Sequence, residues 1–383
     1  MKRNNATLTR MLSLFLVLLL MLSLFACGKK AEEEPEEAPE EPAETVVPEK
    51  QVEPEKEPEE EPEEEEEPEP EPVPDKGLFN PLTGETTEED ISASRPIGVM
   101  VNNIWVAQPQ LGLRKADMVY EVLVESGITR MFAIFQKMEP DNIIGSIRSS
   151  RHYYLQLVNA YDAIYVHCGG SPQADSELAT GKYDHIDGNT GAYGIFYRDQ
   201  WRRSNLGYEH SLCFTSDSLL KCLPETGFRL EHKEGYDANM TFAEEGELQE
   251  GEAAKTVTVT FSSEGKQTIF NYDEAEKVYY PRQFGKDYVD GDTNEKVPFR
   301  NVIVMQTEVW GIPGDNKGRV DMTLTGSGKG WYIRDGVCSP VTWTREKSDM
   351  PFTFTYEDGT EITYGVGKTY VCIIAKSGSF SVS

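Results

Sequence analysis

The 383-residue sequence is short of positive charge, of histidine and of cysteine. Lysine and arginine total 37 against 66 aspartates and glutamates, for a formal net charge of −29. Phosphate-backbone binding needs a basic face, so this balance argues against a general nucleic-acid role. Only 5 histidines are present. His167, His185 and His210, with Asp184 or Asp187, follow no established ligand spacing, and catalytic zinc needs three protein ligands around an open position. No metal and no cofactor is expected. G-x-S-x-G elbows, P-loops and H-E-x-x-H sequences are also missing. No internal repeat is evident.

Cysteine is scarce too, at 6 residues. Setting Cys27 aside leaves Cys168, Cys213, Cys222, Cys338 and Cys372, an odd number that requires at least one free thiol or an intermolecular bond outside the cell. Cys168 and Cys372 sit in apolar, strand-like runs, where a buried free cysteine is an ordinary core residue. Adjacent strand residues point to opposite faces, so Cys168 and His167 cannot easily share a proton as nucleophile and base.

What is present begins with a targeting segment, residues 1–27. Lys2, Arg3 and Arg10 form a basic start. Met11–Phe25 is apolar apart from Ser13 and Ser23 and is shorter than the roughly 20 residues of a comfortable membrane span. Leu24-Phe25-Ala26-Cys27 reads as a bacterial lipobox with Cys27 as the lipid attachment site, and a diacyl group supplies enough chain for stable anchoring. An uncleaved N-terminal anchor is the alternative. Both place the rest of the chain on the outer face of the cytoplasmic membrane.

Residues 28–76 read as a disordered acidic tether. Ala31–Asp75 carries 23 acidic residues against Lys50 and Lys56, and 11 of the 22 prolines. Charge repulsion, proline stiffness and the near absence of apolar side chains all oppose a core. Subtracting −21 for that segment and +5 for residues 1–30 from −29 leaves −13 for Lys76–Ser383.

Residues 77–230 read as an α/β domain. Strands are expected over Ile97–Val101, Val119–Val124, Met131–Gln136, Ile143–Ile147 and Ala163–Cys168. Helices are expected over Arg151–Asn159, Pro172–Ala179 and Asp217–Leu223, the last led by capping Thr215-Ser216. Residues 231–255 form an acidic linker, and 256–383 a β-rich domain. Strands there are expected over Thr256–Phe261, Thr268–Tyr272, Asn301–Val309 and Thr369–Ala375, with hairpin turns at Asp335-Gly336 and Asp358-Gly359. Asp290-Gly291-Asp292-Thr293-Asn294 copies half an EF-hand loop. Glu295 stands where the turn glycine belongs and Asn301 where the bidentate glutamate belongs, which disfavours strong calcium binding. Leu223–Gly227 fits a sorting pattern but lies mid-chain, without the tail that pattern needs.

The stretch most suggestive of function is Ile143–Pro172. Two polar strand-to-helix turns lie about twenty residues apart in it, and ligands in open α/β sheets bind at such carboxyl ends of strands. The first is Arg148-Ser149-Ser150-Arg151, whose hydroxyls can cap a helix and whose guanidinium forks suit a carboxylate or phosphate. The second is His167–Pro172, where Gly169 and Gly170 precede Ser171 as N-cap and Pro172 at the first helical position. Arg130, Arg198 and His210 are candidates to join them. The competing view is that the arginines pair internally with Asp117, Glu121, Glu125 or Asp162, as buried arginines normally do.

An ordered series of motifs carries a family resemblance: Arg95–Asn103 (RPIGVMVNN), Pro109–Leu113 (PQLGL), Ala116–Glu121 (ADMVYE), Gly127–Arg130 (GITR), Gly145–Arg151 (GSIRSSR) and Val166–Pro172 (VHCGGSP). From Arg95 to the C-terminus the chain resembles the YerB family of bacterial lipoproteins. Glu209-His210-Ser211 departs from the Pro-His-Asn more usual there. The resemblance implies layered sheets packed with helices, a β-β-α sandwich, and an extracytoplasmic address, but no reaction. The leading expectation is a membrane-anchored lipoprotein that binds an anionic cell-wall ligand or an envelope partner such as peptidoglycan synthesis proteins. The alternatives are an envelope hydrolase or transferase built on Arg148, Arg151 and His167, and a solute-binding lipoprotein.

Overall fold

The computed structural model describes residues 78–243, 250–263 and 265–383. The targeting segment, Cys27 and the tether of residues 28–76 lie outside them. In chain order the N-terminal half supplies β1 (Ile97–Asn103), β2 (Met118–Leu123), β3 (Thr129–Phe135), β4 (Ile143–Gly145), helix α1 (His152–Ala160), β5 (Ile164–His167), helix α2 (Pro172–Leu178), β6 (His185–Asp187), β7 (Phe196–Arg198), helix α3 (Gln200–Asn205), β8 (Leu212–Thr215) and helix α4 (Ser216–Cys222). β1, β2 and β3 are buried at every position. Their near-continuous apolar sequences fit strands covered on both faces.

These strands belong to an 11-stranded sheet that both halves of the chain build. Its order is Glu252–Ala253, Val337–Arg345, Gly326–Arg334, Asn301–Thr307, Thr369–Ala375, β2, β3, β1, β5, β6, with Thr353–Thr355 beside Val337–Arg345. The Thr369–Ala375 strand lies between Asn301–Thr307 and β2 and is parallel to both. β1 is parallel to β5, and β5 to β6. A five-stranded antiparallel sheet of Thr256–Thr260, Gln267–Asp273, Val278–Gln283, Lys286–Asp287 and Ser379–Val382 covers one face of the central sheet. Phe270 of the small sheet meets Tyr370 of the central one edge-on, with ring centroids 5.0 Å apart.

Side-chain alternation along β2 sorts the layers. Tyr120 points to the helical side, its hydroxyl 2.6 Å from that of Tyr161 at the end of α1. Glu121, one residue on, points to the small sheet, where Thr268 donates to it at 2.7 Å. The result is the β-β-α layering expected from the resemblance. The Asp335-Gly336 hairpin also forms, with both turn residues at positive φ, 54° and 76°, as a type I′ turn demands.

Local chemistry explains most helix starts. The Ser171 hydroxyl accepts the Ala174 amide at 3.2 Å ahead of Pro172, and Thr215 accepts the Ser218 amide at 3.2 Å. α1 differs from expectation. It starts at His152, and its N-cap is Arg151, with no side-chain cap. Ser150 is pulled away instead into a β-bridge with Gly170. β4 is also shorter than expected, ending at Gly145, and it pairs with β8 in a separate three-stranded sheet. The EF-hand-like Asp290 is turned inward. Its carboxylate accepts the amides of Gly112 at 3.1 Å, Arg114 at 2.7 Å and Asp292 at 2.8 Å, so it ties the C-terminal half to the N-terminal one. No described helix is long and apolar enough to cross a membrane.

Candidate functional site

The two turns singled out in the sequence are stitched together by backbone. Cys168 N–H donates to Arg148 O at 3.0 Å, Ser150 N–H to Gly169 O at 2.8 Å, and Ser171 N–H to Ser150 O at 3.1 Å. The first turn is also hung on β1, since Arg148 N–H donates to Met100 O at 2.9 Å. Gly169 sits at φ +69°, and a Cβ there would lie 2.4 Å from Asn189 Nδ2, so glycine alone fits.

This packing divides the expected site residues into two groups. Arg130 and Arg151 are buried partners of Glu125: Arg130 Nη2 lies 3.2 Å from its Oε1 and Arg151 Nε 3.0 Å from its Oε2, and Arg151 Nη2 also reaches Oε1. Arg130 further donates to Ser149 O and Arg151 to Ser150 O, clamping the turn from below. Burial, then the neighbouring Arg151 charge, pulls the Arg130 pKa down to about 10. Burial pushes the Glu125 carboxyl upward, but Arg130 and Arg151 outweigh it and hold the group below its ordinary value. Of the other suggested partners, Asp162 pairs with Arg95 and Arg229, Glu121 with Lys266, and Asp117 with Asn80.

His167 is likewise internal. Its Nδ1–H donates to Gly169 O at 2.9 Å, and its Nε2 accepts from His185 Nδ1 at 3.0 Å. Burial lowers its pKa to about 4, so both ring nitrogens are engaged on a neutral ring. Cys168 has a separate partner, Asn189 Oδ1 at 3.2 Å, and burial raises its thiol above the ordinary value. Ser150, Gly170 and Ser171 are spent on the bridge and the cap.

Arg148, Ser149, Arg198 and His210 are half-buried, and three of the four gather at the Tyr208–His210 turn. Three successive carbonyls of that turn each accept from a different arginine. Tyr208 O takes Arg198 Nη1 at 2.8 Å, Glu209 O takes Arg148 Nη1 at 3.2 Å, and His210 O takes Arg202 Nε at 2.9 Å. Arg202 is buried and also donates to Pro109 O and Ala107 O, fixing α3 against the Trp105–Ala107 turn. Arg198 lies 3.9 Å and Arg203 5.5 Å over the Tyr208 ring. His210 Nδ1 accepts from Asn102 Nδ2 at 2.9 Å, which leaves its proton on Nε2. Burial and then Arg148 lower its pKa, so it is a neutral donor.

Arg148 keeps unused capacity. Its Nε is buried without a hydrogen-bond partner among the described residues, and its one acidic contact is the exposed Glu209 carboxylate at 3.4 Å. Arg202, Arg203, Tyr208 and Asn102 were not anticipated as part of this cluster. Trp201-Arg202-Arg203 followed by Tyr208, inside an acidic region, was the signal available. Among the described residues no group of His, Cys, Asp and Glu is arranged to hold a metal ion, and the five described cysteines are free thiols.

Two family models match the chain. Residues 82–229 match the "protein of unknown function (DUF3048) N-terminal domain" and residues 257–371 its C-terminal counterpart. A Bacillus subtilis (strain 168) protein named "Putative lipoprotein YerB" is 30% identical over 310 residues, which span 80% of this chain and 89% of that one. The crystal structure of the YerB protein from Bacillus subtilis superposes with a TM-score of 0.68 at 29% identity, covering 79% of this chain and 99% of that one.

Proposed function

Because the chain belongs to the YerB-like DUF3048 family of lipoproteins, whose function is not established, we propose that it is a lipid-anchored extracytoplasmic protein whose Tyr208–His210 turn binds an anionic ligand. Cys27 is its anchor and residues 28–76 are the spacer between membrane and folded region. The observation that carries the binding role is the convergence of Arg148, Arg198 and Arg202 on three successive carbonyls. Drawing guanidinium groups together costs repulsion unless an anion offsets it, and guanidinium forks suit carboxylate and phosphate. The region that holds them is otherwise acidic, so the cluster stands out against its own surroundings.

Binding has more support than catalysis. A general base needs a free lone pair within reach of a nucleophile. His167 has both nitrogens occupied, and the Cys168 thiol is raised by burial rather than activated. An anionic cell-wall ligand fits the address, and wall-synthesis proteins are the partners such a ligand would bring near.

Two measurements test the reading. In the purified full-length chain, Arg148→Ala is expected to leave urea-unfolding stability within about 0.5 kcal/mol, as for surface changes. Binding to soluble peptidoglycan fragments should weaken by roughly 1.5–3 kcal/mol, the worth of a hydrogen bond to a charged group. Unchanged binding would overturn the site. For the anchor, Cys27→Ala should stop processing and lipid attachment. A Cys27→Ala protein found at mature mass in the membrane fraction would refute it.

A further inference from the structure

The three most exposed aromatics of the described residues lie on the arginine turn and on the two elements joined to it through Arg202. Trp105 is 71% exposed, Trp201 60% and Tyr208 59%. Trp201 lies in the first turn of α3, and the buried Arg202 after it donates to Ala107 O, the last carbonyl of the turn that carries Trp105, and to Pro109 O just beyond. Keeping such rings in water is unfavourable, and aromatic groups grouped beside polar donors mark a binding surface.

The guanidinium geometry says what kind of surface. The Arg198 guanidinium carbon lies 3.9 Å over the centre of the Tyr208 ring. The ring attracts the cation through its π face, while the guanidinium keeps five N–H donors in a fixed fork. One of them goes to Tyr208 O at 2.8 Å. Arg203 has no ion pair among the described residues and lies over the same ring at 5.5 Å. The turn therefore gathers cations that keep guanidinium donors in hand, suited to paired carboxylate oxygens. Two exposed indoles lie on the elements that Arg202 joins, Trp201 on α3 and Trp105 on the turn ending at Ala107, and their faces carry no hydrogen-bonding groups and suit the C–H faces of sugar rings.

We propose that this surface binds a saccharide bearing an acidic peptide, with Arg148, Arg198 and Arg203 taking the peptide carboxylates and Trp201 and Trp105 stacking on the sugar rings. The proposal rests on the anion-binding reading above and names the class of ligand. The charge complementarity is local, because the guanidinium cluster belongs to a region, Lys76–Ser383, whose formal net charge is −13. A phospholipid surface would use the same cations but not the ring faces of a sugar, so the two can be told apart.

The test uses the full-length protein in detergent and four probes: a disaccharide–tetrapeptide muropeptide, the free tetrapeptide, chitotetraose, and phosphatidylglycerol vesicles. The muropeptide is expected to bind at least tenfold more tightly than the free tetrapeptide or chitotetraose. Trp201→Ala should weaken muropeptide binding about tenfold and leave tetrapeptide binding unchanged, with Trp201→Phe restoring most of the loss. Arg198→Ala should weaken both acidic probes. If the tetrapeptide binds as tightly as the muropeptide, or Trp201→Ala changes nothing, the saccharide assignment falls while anion binding stands. Trp201-dependent vesicle binding tighter than that of the muropeptide overturns it in favour of a membrane surface. If Arg148→Ala and Arg198→Ala leave every probe unaffected, the anion-binding reading falls with it.

Discussion

Glu121 and the Tyr208–His210 turn are both places where charge is concentrated, but they are built in opposite ways. Glu121 is fully buried on β2, and every direction around its carboxylate is filled. Oε1 accepts from Asn103 at 2.8 Å, Thr129 at 2.6 Å and Lys266 at 2.9 Å, and Oε2 from Thr268 at 2.7 Å and Tyr370 at 2.6 Å. Two of these five donors, Asn103 and Thr129, come from the N-terminal strands, and three, Lys266, Thr268 and Tyr370, from the C-terminal half. At the arginine turn the balance is reversed: the acceptors are mostly neutral carbonyls, Arg148 Nε has no partner among the described residues, and its ion pair is with the exposed Glu209. A saturated buried ion pair is scaffold, since it has nothing left to offer a ligand. A cluster with surplus donors at the surface is where a ligand would complete the set.

The largest test of that contrast is Glu121→Ala. It leaves the buried Lys266 with neutral acceptors but no counter-charge, and should cost about 3–5 kcal/mol in urea unfolding, or prevent folding. A loss below about 1 kcal/mol would mean that the cluster is not the joint between the halves.

Asp117 sharpens the contrast as a buried carboxylate with fewer donors. It has Asn80 at 2.9 Å and the Gln136 amide at 2.6 Å, and burial raises its pKa to about 6. A raised folded pKa favours the protonated form. Its stabilising contribution is therefore full below the unfolded value of 3.8 and is lost as pH rises through about 6. Stability should fall by on the order of 2–3 kcal/mol across that window from this group alone. Asp117→Asn should flatten the curve between pH 4 and 7, and a curve as steep as wild type would contradict the assignment.

Arg151→Ala should fall in the middle, costing about 1–3 kcal/mol. It strands Glu125, but that carboxylate reaches solvent and keeps Arg130. Because Glu125 sits below its ordinary pKa, its contribution is present above that value and fades as pH falls, so the Arg151→Ala penalty should shrink in acid. The smallest effect on stability belongs to Arg148→Ala, within about 0.5 kcal/mol. If Arg148→Ala proved as destabilising as Arg151→Ala, the distinction between clamp and site would be lost.

The two arginines show how far the sequence could be read. Arg148 and Arg151 stand three apart in one polar turn and look equivalent as residues. Their roles separate because the chain enters α1 at His152, which drops Arg151 onto Glu125 while Arg148 stays over the Glu209 carbonyl. The expected list held Arg148, Arg198 and His210 of the cluster but not Arg202 or Tyr208. Those two join through contacts spanning from eight to more than ninety residues, which no local pattern encodes.

Periodicity, turn chemistry and capping are local, so the sequence by itself determined the buried strands β1, β2, β3 and β5, the caps at Ser171 and Thr215, the Asp335-Gly336 hairpin and the series of motifs that marks the family. Which strands become neighbours depends on long-range pairing and on the shape of both halves at once. Only the tertiary structure therefore decided that Thr369–Ala375 lies beside β2, that Glu121 is closed by residues more than a hundred positions away, and that three arginines meet on one turn.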